Sequence, residues 1–262
     1  MRTRAISSIL LVIPIALLLW VGDLAWLGGI ILVAVAGVYE MTAALRHDNH
    51  HPFPAIGYFM AIALPCAAYL DSSLSALLPI IALAVAASLV MAMLRPRLEG
   101  ALVDWALSLA GMLYVTLLLS YFVALRVHQG LPWILVALIC TWACDSFAYL
   151  VGKAIGRHPF APRISPKKTW EGTIGGIVAA TVCGLIAVPL LNLPAFAGLL
   201  LGGAIAVVAV LGDLAESFIK RQVAIKDSGA LIPGHGGALD RVDSLLFAVT
   251  LVYYVSIWWS RL

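Results

Sequence analysis

Charged side chains are scarce in this sequence: Asp, Glu, Lys and Arg make up 11% of its 262 residues, against 63% hydrophobic ones. Soluble domains carry about 25% charge, so the scarcity excludes a water-soluble domain of this length. No stretch is long and polar enough to stand apart as one. Cysteine is sparse as well. Cys66, Cys140, Cys144 and Cys183 all lie in apolar runs, which excludes a secreted disulfide framework and a C-x-x-C metal site. Cys140 and Cys144, four residues apart, share a helix face in the manner of packing residues. There is no basic stripe interleaved with aromatics, so the net charge of +3 does not signal a nucleic-acid partner. A Walker A pattern is missing, which excludes a P-loop. No internal repeat recurs at a fixed period, which weakens a transporter built from symmetric halves.

What is present is a series of apolar runs near membrane length, with a mean hydropathy of +1.05. A span needs about 20 apolar residues, and windows of that size predict helices at Ile6–Val21, Leu24–Leu45, Pro54–Leu70, Leu74–Leu94, Ala101–Val127, Leu131–Val151, Ile174–Leu191, Ala195–Leu214 and Ser244–Trp259. The expected fold is therefore all-α, a polytopic membrane-embedded bundle of about nine transmembrane helices forming a single domain. Arg2 and Arg4 before the first run imitate a leader peptide, but no small-residue cleavage site follows, and Gly22-Asp23 reads as the turn of a retained helical hairpin. Fourteen of the sixteen Lys and Arg fall on one side of this topology, leaving Arg126 and Arg261 on the other. The positive-inside rule then gives a cytoplasmic N-terminus, an outside C-terminus and cytoplasmic polar segments around 145–171 and 213–243.

Those polar segments hold the candidate chemistry. Asp145, at the end of an apolar run and beside Ser146 and Tyr149, suggests a wet, protein-lined pocket; snorkelling or pairing with Lys153 is the alternative. Ser165-Pro-Lys-Lys-Thr-Trp-Glu-Gly172 puts cations and hydroxyls just before a helix start, which suits a phosphate, with Lys168 as point charge and Glu171 as a possible cap. Asp213, Glu216, Ser217 and Lys220 share one helical face, an array able to hold a divalent cation with a counter-charge nearby. Gly234, Gly236 and Gly237 around His235 allow close backbone approach to a ligand and an anion-binding nest. Asp240 and Asp243, three apart, are expected on one face at the start of the last helix, with Arg241 turned aside. Carboxylates, a Gly-rich turn and cations together are what a metal-bound triphosphate requires. Glu40, in the second apolar run, either contributes to such a pocket or merely sits near the cytoplasmic end of its helix. His47, His50 and His51 lack metal-ligand spacing and read as a solvated loop.

The string Ser217-x-x-Lys220-Arg221, then Lys226-Asp227-x-Gly229-x-x-Ile232-Pro233-x-His235-Gly236-Gly237-x-x-Asp240-Arg241-x-Asp243, resembles the signature of the phosphatidate cytidylyltransferases, or CDP-diacylglycerol synthases. Asp145-Ser-x-Ala-Tyr149, Ser165-Pro-x-Lys168-Thr169-x-Glu171-Gly172 and Gly212-Asp213-Leu-x-Glu216-Ser217 also look like motifs of that family. The resemblance is specific from about Trp142 to Ser244. It implies a bacterial inner-membrane enzyme that joins CTP to phosphatidic acid, releasing pyrophosphate, with a polar cavity facing the cytoplasm. Residues 1–130 would be scaffold helices and 131–262 the catalytic part. The resemblance further implies Mg²⁺ as cofactor, a second cation being left open. Asp213, Asp240 and Asp243 would be its ligands, with Asp145 a further candidate. Asp240, Asp243 and Lys226 would act at the reacting phosphates, and Ser165, Lys168, Thr169, Glu171, Ser217, Lys220, Arg221, His235, Gly236, Gly237 and Arg241 would bind substrate. A homodimer is also implied. A CTP-dependent polyprenol or phytol kinase and a lipid transporter are the rival readings.

Overall fold

Where water is absent, backbone polar groups must be satisfied within the segment that carries them, and the computed structural model, which describes residues 2–229 and 236–261, is helical almost throughout. By internal packing the chain divides into two compact units. The first takes the chain up to His128 and again Val223–Arg241. It contains α1 (Arg2–Val21), α2 (Asp23–His47), α3 (Pro54–Leu70), α4 (Leu77–Met93) and α5 (Ala101–Ala124), which runs out in a π-helical turn over Leu125–Gln129. Its returning segment ends in a short 3-10 turn, Leu239–Arg241. The core lies where α2, α3 and α5 pack together, and Val38, Met60, Leu64, Met112, Val115 and Leu119 are fully buried there. The loop after α2 is not simply solvated as its histidines suggested. His50 Nδ1 lies 2.9 Å from Asp104 Oδ1, Arg95 donates to Asp104 Oδ2 at 2.8 Å, and Arg95 also reaches the His51 carbonyl. Burying the Asp104 carboxylate requires such partners, and they tie the two loops together.

The second unit comprises Gln129–Gln222 and Val242–Leu262. Its elements are α6 (Leu131–Ile155), a hairpin of β1 (Pro159–Ala161) and β2 (Ser165–Thr169), α7 (Trp170–Ile186), the short α8 (Val188–Leu191), α9 (Ala195–Gln222) and α10 (Asp243–Trp259). The strands are antiparallel, with Pro159 opposite Thr169, Ala161 opposite Ser165 and an irregularity between. Helix α6 packs along α7, α7 along α9, and α10 against both α9 and α6.

Among the described residues, four helical stretches are long and apolar enough to cross a membrane: Asp23–His47, Ala101–Gln129, Leu131–Ile155 and Ala195–Gln222, of 25, 29, 25 and 28 residues. Shorter apolar helices accompany them at Val12–Val21, Pro54–Leu70, Leu77–Met93, Trp170–Ile186 and Asp243–Trp259. Trp20 is 84% exposed and Phe196 72%; large apolar side chains turned outward along apolar helices are what a lipid solvent asks for. Polar residues inside these helices satisfy themselves locally. Ser108, Thr116, Ser120, Thr141, Thr181 and Thr250 each donate to the carbonyl four residues back, so their presence in a span needs no functional account. The chain is an all-α integral membrane protein, with one small hairpin among the described residues.

Candidate active site

In the second unit, four elements bring polar side chains to one place. Helix α9 does not stop where its apolar run ends but continues through Gln222. Asp213, Glu216, Ser217 and Lys220 therefore lie on one face of an unbroken helix, as their spacing predicted: Lys220 Nζ donates to Glu216 Oε2 at 2.9 Å, and Ser217 Oγ lies 3.5 Å from Asp213 Oδ1. Helix α10 starts beside them because Gly212 has no side chain. A Cβ there would stand 2.6 Å from the Asp243 carbonyl oxygen. Asp243 is thus held within hydrogen-bonding reach of Glu216 and under the charge of Asp213. Its Oδ1 accepts from the Ser244 amide at 2.7 Å, while Ser244 Oγ donates to Asp145 Oδ2 on α6 at 2.9 Å. Ser244 thereby joins the two acids. Lys153 instead lies over the Tyr149 ring, 6.0 Å from its centroid.

The hairpin supplies the cation. Lys168, near the end of β2, reaches Asp213 Oδ2 at 2.7 Å. The residue that caps α7 is Thr169, whose Oγ1 accepts from the Gly172 amide at 3.2 Å. Glu171 has a different task from the capping expected of it: it accepts from the amides of Arg157 and His158 and lies 2.5 Å from His158 Nδ1. It closes the base of the hairpin. Arg221 donates from Nε to the Ile164 carbonyl at 3.3 Å, fastening the hairpin turn to α9. Ser165 opens β2 and pairs with Ala161. A hairpin this short leaves no separate signal in the residue pattern.

In the first unit, the returning segment carries Lys226, Gly236, Gly237, Asp240 and Arg241, with Lys226 exposed and Asp240 half-buried. His235 lies outside the described residues. Asp240 Oδ2 accepts from the amides of Gly237 at 2.7 Å and Ser228 at 3.1 Å. Glu40 of α2 accepts from the next two amides, Ala238 at 2.7 Å and Leu239 at 2.9 Å. Three consecutive amides of the Gly-rich segment are therefore taken by the protein's own carboxylates, and those three do not form the anion nest that the glycines suggested. Asp240 and Asp243 are also not on one helical face. Asp240 belongs to the 3-10 turn, Val242 leaves the helical conformation at φ −120° and ψ −2°, and only Asp243 belongs to α10. Of the two roles open to Glu40 in the sequence, the structure shows it holding this segment, and the signal for it is an acid inside an apolar run.

Four carboxylates in the second unit, Asp145, Asp213, Glu216 and Asp243, face two ammonium groups, Lys168 and Lys220. That excess of negative charge and those oxygen donors suit a hard divalent cation by chemistry. Among the described residues no three His, Cys, Asp or Glu side chains form a ready-made cage. Mg²⁺ rarely needs one, because one or two carboxylates suffice when substrate phosphates complete its shell.

The sequence profile of the cytidylyltransferase family matches residues 2–258. The relatives it resembles include several that bear the name phosphatidate cytidylyltransferase. That of Brucella abortus biovar 1 is 46% identical over 125 residues, covering 47% of this chain and 46% of the relative. That of Bacillus subtilis is 43% identical over 147 residues, covering 55% of each. The chain thus matches about half the length of these two. The relative from Synechocystis is 34% identical across 97% of this chain and 96% of its own length. With the profile spanning nearly every residue, the chain belongs to the cytidylyltransferase family.

Proposed function

We propose that this protein is a phosphatidate cytidylyltransferase, transferring CMP from CTP to phosphatidic acid to give CDP-diacylglycerol and pyrophosphate. The observation that carries the reading is the meeting of Asp145, Lys168, Asp213 and Asp243, from α6, β2, α9 and α10, in a chain akin to the Synechocystis enzyme over nearly its whole length. In the reaction an oxygen of the lipid phosphate forms a bond to the α-phosphorus of CTP, and the bond from that phosphorus to the bridging oxygen breaks, releasing pyrophosphate. The lipid phosphate is already ionised near neutral pH, so no general base is assigned. Lys168 and Lys220 are each paired with a carboxylate, which holds their ammonium groups ready for phosphate oxygens; Lys226 and Arg241 stay phosphate-binding candidates on their positions in the signature. Asp213 and Asp243 would hold Mg²⁺, with Asp145 oriented by Ser244 as a further ligand; Asp240 stays a candidate on its position in the signature. Mg²⁺ so bound neutralises phosphate charge and orients the phosphates.

The same reading takes the helices as nine spans, the N-terminus as cytoplasmic and the C-terminus as outside, in a bacterial inner membrane, and the active form as a homodimer. The cytoplasmic placement lets CTP arrive from water while phosphatidic acid enters from the leaflet. Detergent-purified protein incubated with Mg²⁺, phosphatidic acid and CTP labelled separately at the α- and γ-phosphates tests the reaction. α-Label in lipid with γ-label in pyrophosphate is expected. γ-Label in lipid would mean a CTP-dependent kinase, and no lipid label from folded protein would refute both.

A further inference from the structure

Glu40 is 1% exposed in an otherwise apolar helix. Holding a helical bundle together does not call for a buried carboxylate; an apolar residue of similar volume does that as well or better. What distinguishes this carboxylate is its partners. Its oxygens accept from Ala238 N and Leu239 N, 198 and 199 residues further along the chain. These are the amides that enter the 3-10 turn carrying Asp240. Two glycines make room for it: a Cβ on Gly229 would stand 2.9 Å from Glu40 Oε1, and one on Gly237 would collide with the carboxylate outright. Asp240 grips the same segment from its other end through Gly237 N and Ser228 N. Gly236, at φ +77°, turns the chain between them.

We propose that Glu40 is a positioning residue: its carboxylate anchors the Gly236–Arg241 segment through two amides and so fixes where Asp240 and Arg241 stand during nucleotidyl transfer. The proposal rests on the cytidylyltransferase reading for its consequence in turnover, and on geometry alone for the anchoring. It gives the glycines at 229 and 237 a role, because a Cβ at either would crowd the Glu40 side chain. Charge-assisted hydrogen bonds of this kind are about twice as strong as neutral ones, and Glu40→Gln, isosteric but uncharged, presents an NH₂ to one of two donors.

The test measures hydrogen exchange by mass spectrometry and steady-state kinetics on full-length protein in detergent. In wild type the peptide containing Ala238 and Leu239 should exchange slowly. In Glu40→Gln it should exchange at least about tenfold faster, while peptides from α3 and α5 stay unchanged. kcat should fall about ten- to a hundredfold, the loss expected for one or two such bonds. Gly237→Ala should do the same, and the double variant should be no worse than the poorer single one, because both break one contact. Unchanged exchange at 238–239 in Glu40→Gln would overturn the anchoring, and so would faster exchange spread evenly over α2, α3 and α5, which is general loosening. Altered exchange with wild-type kcat and KM would overturn the link to turnover. Failure of the wild-type protein to make CDP-diacylglycerol would instead refute the functional reading, and the exchange result would still decide the anchoring.

Discussion

Replacing Gly212 by alanine adds one methyl group at the point where α9 supports the start of α10. The new Cβ would lie 2.6 Å from the Asp243 carbonyl oxygen and 3.3 Å from Ser244 Cα. Ordinary contact begins near 3.4 Å, so the α10 start must retreat by about 0.8 Å, the difference between 3.4 and 2.6 Å. Backbone cannot rotate out of the way as a side-chain tip can. A retreat of that size displaces Ser244 from the 2.9 Å hydrogen bond it makes to Asp145, and taken along the bond it would open the contact to about 3.7 Å, beyond bonding range. Overpacking of this size costs about 1–3 kcal/mol, which a well-folded bundle survives, whereas misplacing reacting groups by about 1 Å can cost a hundredfold in rate. The expected outcome is a folded Gly212→Ala protein with a slightly lower Tm and kcat reduced about ten- to a hundredfold in a mixed-micelle cytidylyl-transfer assay. Gly203→Ala on the same helix is the control. There a Cβ meets only the Thr181 hydroxyl at 3.4 Å, so activity should be unchanged. Gly212→Ala with kcat within about twofold of wild type, or Gly203→Ala equally impaired, would refute the reasoning.

Asp240→Ala and Asp243→Ala should each abolish measurable turnover while the thermal melt stays cooperative; near-normal activity in both would sink their assignment. Lys168→Met strips Asp213 of its 2.7 Å partner and one cation from the phosphate set, so KM for CTP should rise about tenfold or more, and an unchanged KM would remove Lys168 from that set. Chelation with EDTA should stop the reaction and added Mg²⁺ restore it, with full activity in excess chelator as the contrary result. Asp71, in the loop between α3 and α4, accepts hydrogen bonds from the Ser73 hydroxyl, the Ala76 amide and the Ser75 hydroxyl, which hold its carboxyl well below the usual range. Its stabilising effect is therefore complete above the unfolded carboxylate range of about pH 4 and disappears only as pH falls through the lower folded value. Carboxyl NMR should find Asp71 ionised at pH 3 in wild type and titrating higher in Ser73→Ala; equal titration in the two would disprove the hydrogen-bond cause.

Hydropathy reports the solvent around a segment, and this explains what was legible in the sequence. Helix α3 has the limits predicted for it, α5 begins at Ala101 and α10 ends at Trp259, because Gly, Pro and polar loops bound those apolar runs. Hydropathy ends helix α9 at Leu214, yet it continues to Gln222, since charge at Glu216, Lys220 and Arg221 marks departure from apolar surroundings and leaves helical hydrogen bonding intact. The shared face from Asp213 to Lys220 was legible for the same reason that any helical spacing is. Thr169 and Glu171 were harder, because both residue types serve at helix starts and only geometry shows that threonine caps while glutamate closes the hairpin. The separation of Asp240 from the α10 helix was hidden, as a spacing of three suits a continuous helix and a 3-10 turn alike. Glu40 announced itself as an expensive acid in an apolar run, but its partners lie too far along the chain for any periodicity to reveal them.

That distance has a meaning for biogenesis. At translation rates of about 5–20 residues per second, the 198 residues between Glu40 and Ala238 correspond to roughly 10–40 s of synthesis. During this interval α2 must enter the membrane before the amides that receive its carboxylate have been made. The nascent helix therefore carries its acid through insertion on temporary company, whether water at the interface or the insertion machinery. A ribosome-bound chain truncated before Gly237 should leave Glu40 open to carboxyl-directed labelling, and the completed chain should shield it.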